Sequence, residues 1–237
     1  MLLVILFTGC TASTTVMTPT ATSTTLPTET ALIPPTLFLS PTPVTLPRGQ
    51  EIIFEESGTN KFTGTAYGTG KTAIILANMS IGGPKQWDPF VASVDKQKFT
   101  TITFSYRNIN DVNPDMDLVL QWIRQEGFAR VICIGASLGT KACTAIMGEP
   151  EIVGIALIAG SVHHASVAEA AYPKLFIAGA LDVWAFDIQN GYEQASEPKT
   201  LVLFENSRVH GTDLFHSKDG EPFLNLLIDF VNRLANS

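Results

Sequence analysis

One serine of the sequence stands in a setting that is typical of a catalytic nucleophile. Residues 135–139 read GASLG, which matches the pattern G-x-S-x-G with Ser137 at its centre. The apolar run VICI precedes this segment and the helix-like run TKACTAIM follows it. The pattern therefore predicts a sharp turn from strand to helix with Ser137 at its apex, where Gly135 and Gly139 lack the Cβ atoms that would clash. The alternative interpretation is a structural glycine-rich turn.

The helix that follows Ser137 is expected to favour negative charge near that residue. Backbone amides at the amino end of a helix have no partner within the helix, and the helix dipole attracts an anion there. We therefore expect the backbone N–H of Leu138 to point at the oxygen on which charge develops after nucleophilic attack.

Alternating strands and helices must position these residues, and the sequence predicts them from residue 51 onwards. Short apolar runs indicate strands at 51–55, 62–67, 72–77, 100–106, 130–135, 152–158, 174–178 and 200–204. Helix-like segments occur at 88–96, 113–126, 138–147, 188–195 and 223–234. The expected fold is α/β, a mostly parallel sheet flanked by helices on both faces, with the first two strands antiparallel at one edge. In such sheets functional side chains collect at the carboxyl ends of the strands.

The G-x-S-x-G segment, within this order of elements, resembles the α/β-hydrolase superfamily. The resemblance is to small members without a lid, such as carboxylesterases and dienelactone-hydrolase-like enzymes, and it covers residue 51 to the C-terminus. It implies a catalytic triad in the order serine, acid, histidine, and a reaction that needs no cofactor. The stretch 160–172 leaves no room for a cap domain, so we expect an open, shallow pocket for a small-molecule acyl substrate.

The order implied by the resemblance assigns an acid and a base to the ends of two later strands. Asp182 follows the strand KLFIA, and Asp187 is the second choice because it lies further on and resembles an N-cap. His210 follows the last strand and precedes Gly211, as in the His-Gly pair usual in the superfamily. Ser137 would then attack a carbonyl carbon, His210 would take and return its proton, and Asp182 would orient the imidazole.

The loop after strand 72–77 is expected to complete the site, and it departs from the superfamily pattern. Where many members have His-Gly, this chain has Asn78-Met79. The backbone N–H of either Met79 or Ser80 would be the second oxyanion donor. We also expect three side chains to line the pocket or its rim, namely Asn78, His163 and Trp184.

Two further patterns are weak. The segment GTGKT at 68–72 resembles the end of a phosphate-binding P-loop, but Thr65 stands where its first glycine is required and a strand follows instead of a helix. A hairpin turn is the better interpretation. His210, Asp213 and His216 resemble part of a metal site, but no second cluster completes it, so we expect no metal.

The N-terminal segment resembles a bacterial lipoprotein signal. Residues 1–9 read MLLVILFTG and Cys10 follows them; in such signals, small residues precede a cysteine that is lipidated and becomes the mature N-terminus. Residues 11–50 are dominated by Thr, Pro, Ser and Ala, which predicts an extended, disordered linker. We therefore divide the chain into a signal-like segment (1–10), a linker (11–50) and an α/β-hydrolase domain (51–237). The expected location is the bacterial cell envelope, outside the cytoplasm, with a lipid on Cys10 as the membrane anchor.

Composition limits the partners and the cysteine chemistry. The formal net charge is −7 and Lys and Arg form no cluster, which argues against a nucleic-acid partner. Cys133 and Cys143 are expected to be buried apolar side chains, and the cysteines do not suggest a disulfide framework.

Taken together, these features predict a serine hydrolase, carboxylesterase-like as the resemblance implies, that cleaves an ester, thioester or amide through an acyl-enzyme. The alternative is a tethered binding module that keeps the fold without turnover. The departure at Asn78-Met79 is the feature that supports this alternative.

Overall fold

A computed structural model of the chain describes residues 48–55 and 61–235. The predicted signal-like segment, with Cys10, and residues 11–47 of the predicted linker lie outside the described residues. The first strand, β1, comprises Gln50–Glu55. It therefore begins one residue before the predicted start of the domain.

The centre of the fold is an eight-stranded sheet. After β1 its strands are β2 (Lys61–Tyr67), β3 (Thr72–Ala77), β4 (Phe99–Phe104), β5 (Arg130–Ala136), β6 (Ile152–Ile158), β7 (Lys174–Gly179) and β8 (Lys199–Phe204). Their order in the sheet is β1-β2-β4-β3-β5-β6-β7-β8. The pairs β1–β2 and β2–β4 are antiparallel and all other pairs are parallel. This arrangement confirms the predicted α/β class, with a mostly parallel sheet and an antiparallel edge.

The connection between β2 and β3 is not the hairpin turn that the sequence suggested. Because β4 lies between these two strands, the connection must cross the chain that leads into β4. The crossing is close: the N–H of Thr69 donates to the carbonyl of Lys96 at 2.8 Å, and a Cβ atom on Gly70 would lie 1.9 Å from the carbonyl carbon of Lys98. An apolar run predicts a strand but not its neighbours in the sheet, which is why the sequence did not indicate this crossing.

Helices cover both faces of the sheet, as predicted. Within the described residues they are α1 (Asp88–Ser93), α2 (Asn113–Gln125), α3 (Leu138–Ala145), α4 (His164–Glu169), α5 (Ala185–Gln194) and α6 (Gly220–Ala235), with 3-10 helices at Pro84–Trp87 and Gly211–His216. Helices α2 to α5 pack on one face, and α1 and α6 pack on the other. None of the helices at 48–55 and 61–235 is both long and apolar enough to cross a bilayer.

Two helices differ from the prediction for local reasons. Helix α5 begins at Ala185, three residues before the predicted start, because the carbonyl of Asp182 accepts the N–H of Ala185 at 3.1 Å. Helix α4 was not predicted, since its six residues are too few to show a helical repeat of apolar side chains.

The middle of the sheet is buried on both faces. Strands β3, β4 and β7 are buried along their whole length, because helices cover them from either side. At the antiparallel edge, by contrast, β1 alternates between buried and exposed side chains, with Ile52 and Phe54 inward and Ile53 outward. The apolar core therefore holds the carboxyl ends of β3, β5, β6 and β7 in fixed positions beside one another.

A disulfide joins Cys133 of β5 to Cys143 of α3, with 5.7 Å between their Cα atoms. The expectation that these cysteines are merely buried apolar side chains is therefore wrong, although both are buried. The chain turns back at residue 137, so α3 packs against the strand that precedes it and brings Cys143 beside Cys133. This contact depends on which side of α3 faces the sheet, and the spacing of the cysteines alone does not reveal it.

Candidate active site

Ser137 lies at a sharp turn between the end of β5 and the start of α3. Its backbone has φ 53° and ψ −113°, which is strained for a residue with a Cβ atom. Its N–H donates to the carbonyl of Ile158 at 2.8 Å, and its carbonyl accepts the N–H of Thr140 at 3.0 Å. These bonds to β6 and α3 hold the residue in the strained conformation, with its side chain half-buried at the carboxyl edge of the sheet.

The two glycines of the G-x-S-x-G segment are required by close contacts on either side of this turn. A Cβ atom on Gly135 would lie 2.1 Å from the carbonyl oxygen of Gly139. A Cβ atom on Gly139 would lie 2.1 Å from the carbonyl oxygen of Ala77, at the end of β3. Neither position has space for a larger residue, because the atoms that would be displaced belong to the backbone.

Asp182 and His210 form a hydrogen-bonded pair at the same edge of the sheet. Nδ1 of His210 lies 2.8 Å from Oδ2 of Asp182, and the carboxyl group is buried. The other carboxylate oxygen, Oδ1, accepts the backbone N–H of Trp184 at 2.7 Å. Both carboxylate oxygens of Asp182 therefore have a hydrogen-bond partner. Nε2 is the imidazole nitrogen of His210 that does not face Asp182.

The surroundings of His210 favour its protonated form. The hydrogen bond with Asp182 raises the pKa of His210 above its ordinary value, and the negative charges of Asp182 and Asp213 act in the same direction. Partial burial of the ring opposes this shift without cancelling it.

The loop that carries His210 packs against the turn that carries Ser137. A Cβ atom on Gly211 would lie 2.4 Å from Sδ of Met79 and 3.6 Å from Cβ of Ala136, the residue before Ser137. The structure thus brings Asp182, His210 and the Ser137 turn to one edge. It shows no hydrogen bond between Oγ of Ser137 and His210 among the described residues, and such bonds commonly tighten only when substrate is bound.

Gln86 connects the loop after β3 to the loop after β8, a contact that no pattern in the sequence indicates. Its Oε1 accepts the backbone N–H of Met79 at 3.1 Å and the hydroxyl of Thr212 at 2.9 Å. Its Nε2 donates to the carbonyl of Gly83 at 2.6 Å. Because 126 residues separate Gln86 from Thr212, no local pattern could have indicated this contact.

Of the two amides considered as second oxyanion donors, that of Met79 is thus engaged by a side chain. Ser80 is exposed, and its N–H has no hydrogen bond to any described residue. Leu138 is the first residue of α3, so its N–H has no acceptor within the helix.

The predicted pocket residues lie in three different environments. Asn78 is buried beneath the loop: its side-chain amide donates to the carbonyl of Phe104, and its backbone carbonyl accepts the hydroxyl of Tyr106 at 3.3 Å. His163 is exposed and caps α4, with Nδ1 2.9 Å from the hydroxyl of Ser166. Trp184 is partly exposed beside Asp182. Asn78 and His163 therefore stabilise local structure, whereas Trp184 lies at the rim of the site.

The second choice for the acid, Asp187, lies inside the first turn of α5 rather than at its N-cap, which is Trp184. The interpretation of Asp187 as an N-cap is therefore wrong. No group of three or more His, Cys, Asp or Glu side chains that could hold a metal ion occurs in the part of the chain that the structure describes.

No protein-family profile and no curated protein matches the sequence. Among solved structures, the chain is similar to the esterase domain of a Rhodothermus marinus protein, with a TM-score of 0.66, 15% identity, and coverage of 78% of this chain and 98% of that one. The chain is also similar to an esterase of Pyrococcus furiosus, with a TM-score of 0.65 and 12% identity, and the match covers 79% of this chain and 93% of that one. A third similar structure is a bromoperoxidase of Bacillus anthracis, with a TM-score of 0.65 and 10% identity, and the match covers 77% of this chain and 100% of that one. At these identities the likeness establishes the fold alone, and it confirms the α/β-hydrolase fold.

Proposed function

We propose that the protein is a serine hydrolase that cleaves a carboxylic ester through an acyl-enzyme, with Ser137, His210 and Asp182 as its catalytic triad. The observation that carries the proposal is the hydrogen bond between His210 and the buried carboxylate of Asp182, at the edge where Ser137 stands in a strained turn. A buried acid, an oriented imidazole and a serine at such a turn are the groups that acyl transfer by a serine nucleophile requires.

In the proposed reaction, Oγ of Ser137 attacks the carbonyl carbon and its proton passes to Nε2 of His210. The imidazolium that forms is stabilised by the carboxylate of Asp182. The bond to the leaving alcohol then breaks as His210 returns the proton to the alcohol oxygen. Water then attacks the carbonyl carbon of the acyl-enzyme and gives a proton to His210. The bond between the acyl group and Oγ of Ser137 breaks as His210 returns the proton to Oγ, and the carboxylic acid leaves.

The negative charge of the tetrahedral intermediate requires two donors near Ser137. The N–H of Leu138 is one, because it opens α3 and has no acceptor within that helix. For the second, the N–H of Ser80 is favoured over that of Met79, because the Met79 amide already donates to Gln86. Use of the Met79 amide would require Oε1 of Gln86 to move away.

The hydrogen bond from the Met79 amide to Gln86 also favours the second candidate function, a binding module that keeps the fold without turnover. A fluorophosphonate probe separates the two, since it labels only an activated serine. We expect labelling of Ser137, and we expect Ser137→Ala to abolish both labelling and ester hydrolysis while the melting temperature stays close to wild type. Ser93→Ala, at an exposed serine of α1, is the matched control. Unchanged hydrolysis in Ser137→Ala would exclude the hydrolase proposal.

For location, we propose a cell-envelope protein anchored through a lipid on Cys10. The apolar segment before Cys10 and the Thr/Pro-rich linker after it support this proposal. The disulfide between Cys133 and Cys143 is a second support, because disulfides persist mainly in oxidising compartments outside the cytoplasm. In the native host, the protein is expected in the detergent phase, and Cys10→Ser is expected to release it or leave it unprocessed. An unmodified Cys10 in a membrane-free fraction would contradict the proposal.

A further inference from the structure

The exposed large apolar side chains of the described residues are concentrated at one end of the molecule. Of the seven, one is Ile53 in β1. The other six follow the carboxyl ends of β3, β4 and β7 and are called here the apolar rim: Ile81, Ile109, Leu181, Val183, Trp184 and Phe186. Single exposed apolar residues scattered over a surface need no explanation, but a group at one site marks a contact surface.

The two parts of the apolar rim lie on opposite sides of the proposed catalytic serine along the sheet. In the sheet, β3 and β4 lie on one side of β5, and β7 lies on the other side beyond β6. Ser137 follows β5, so Ile81 and Ile109 lie to one side of it and the segment 181–186 to the other. Asp182 and Ala185 are the buried members of that segment, and Leu181 and Val183, the neighbours of Asp182 in the chain, are exposed.

The most exposed members of the rim are covered only slightly by the rest of the protein. Val183 is 86% exposed, Ile81 81% and Phe186 75%. The backbone of the segment 181–186 is held in place, because a carboxylate oxygen of Asp182 accepts the N–H of Trp184 at 2.7 Å and its backbone carbonyl accepts the N–H of Ala185 at 3.1 Å. This segment, which carries four of the six members of the rim, is therefore a fixed apolar surface that faces solvent.

The chemistry of the rim fits an uncharged lipid surface better than a charged one. Its members are aliphatic or aromatic, and they include a Trp, a residue enriched where apolar and aqueous phases meet. The chain carries a net charge of −7, which opposes attraction to an anionic membrane. Binding must therefore come from burial of apolar side chains and should be insensitive to salt.

The chain before β1 is long enough to let this end of the domain face a membrane. A chain with the length of residues 11–49 reaches on the order of 100 Å when it is extended at about 3.1 Å per residue. A domain of this size is on the order of 40 Å across. An anchor at Cys10 would thus permit the carboxyl edge of the sheet to lie on the same membrane that holds the lipid.

We propose that the apolar rim docks on a lipid surface, and that the ester substrate is an acyl lipid taken from that surface rather than a dissolved small ester. The choice of substrate rests on the proposed hydrolase function, whereas the docking does not. Docking would place acyl chains between the two parts of the rim, with Ser137 beneath them.

Trp184 provides a probe of the rim itself, because Trp87 is fully buried and Trp122 packs against the core. The experiment uses the full chain with Cys10→Ser, which cannot be acylated, and phosphatidylcholine vesicles whose acyl chains carry bromine. We expect the Trp184 emission to shift to shorter wavelength and to be quenched, at low and at high salt. Trp184→Phe should remove this response and thereby identify its source.

Substitution within the rim should weaken docking, and the same substitution elsewhere should not. Val183→Ser with Phe186→Ser is expected to lower vesicle affinity by roughly tenfold or more for each side chain. Ile53→Ser, at the exposed apolar residue outside the rim, is the matched control and should leave affinity unchanged. Melting temperatures show whether each variant is folded.

Several results would overturn the docking proposal: no quenching of Trp184, binding that high salt abolishes, or equal weakening by Ile53→Ser. A shift that grows with protein concentration in the absence of lipid would show self-association instead. Ser137→Ala should dock as the parent chain does, because docking needs no turnover. Quenching without any hydrolysis of the brominated lipid or of other esters would exclude the hydrolase function and leave the docking surface in place.

Discussion

Oδ2 of Asp182 lies 2.8 Å from Nδ1 of His210, although 28 residues separate the two in the chain. Because Nδ1 faces Asp182, Nε2 is the nitrogen that is left for the proposed proton transfer from Ser137. Asp187, by contrast, belongs to the first turn of α5, and the structure shows no bond between it and His210 among the described residues. We therefore expect substitution of Asp182 and substitution of Asp187 to have different effects on hydrolysis.

Asp182→Asn is expected to lower kcat by on the order of 10³ to 10⁴, because the amide removes the charge that stabilises the imidazolium and can select the wrong tautomer. Asp187→Asn should change kcat little. The measurement is steady-state hydrolysis of one ester by both variants, with melting temperatures as the folding control. If Asp187→Asn is the damaging change, the acid has been assigned to the wrong residue.

The pH dependence of hydrolysis should follow the raised pKa of His210. The base must be neutral to accept a proton, so kcat/KM should be low in acid and rise as the imidazole deprotonates. Because Asp182 and Asp213 raise the pKa of His210, the midpoint of this rise should lie above the ordinary value of about 6.5.

Asp213→Asn removes one of these charges without removing the hydrogen bond from Asp182. It is therefore expected to shift the midpoint of the pH profile slightly to lower pH while the plateau value of kcat is retained. A profile from pH 5 to 9 for wild type and variant, on one uncharged ester, tests this expectation. A shift to higher pH would show that the titrating group is not His210.

Gln86→Ala is expected to reduce kcat by about tenfold or more with little change in KM, because the side chain joins the loop after β3, which holds the proposed second oxyanion donor, to the loop after β8, which holds His210. Gln125→Ala, at an exposed residue near the end of α2, is the matched control. Higher activity in Gln86→Ala would show instead that Gln86 obstructs the amide of Met79.

Reduction of the disulfide between Cys133 and Cys143 should lower the free energy of unfolding by roughly 2–3 kcal/mol, since the loop that it closes is short. Urea unfolding with and without a thiol reductant measures the loss, and Cys133→Ala with Cys143→Ala should reproduce it and abolish the effect of the reductant. Two free thiols at these positions in protein from an oxidising compartment would contradict the assignment.

The sequence predicts those features that depend on one strand and the residues just beyond it. Ser137, Asp182 and His210 each follow an apolar run, and parallel strands carry their carboxyl ends to one edge whatever the distance along the chain. The same reasoning predicted the class of the sheet and its antiparallel edge.

Features that depend on contacts between distant elements could not be predicted in this way. The bridge from Gln86 to Thr212 requires two loops on different strands to meet. The bond from Cys133 to Cys143 depends on the rotation of α3 about its own axis, and the crossing at Gly70 depends on the order of strands in the sheet. The spacing of apolar residues along the sequence determines none of these contacts.

The disulfide also has a topological consequence for Ser137. Cys133 and Cys143 stand on either side of Ser137, so the bond between them closes a covalent ring that contains the strained residue. A residue in such a conformation costs about 1–3 kcal/mol and keeps it only while its surroundings prevent relaxation. Because α3 is chemically joined to β5, it cannot peel away from the sheet to release that conformation. A chain that has not yet been oxidised would carry Ser137 in an open loop, and oxidation of the two thiols would complete the covalent ring around it.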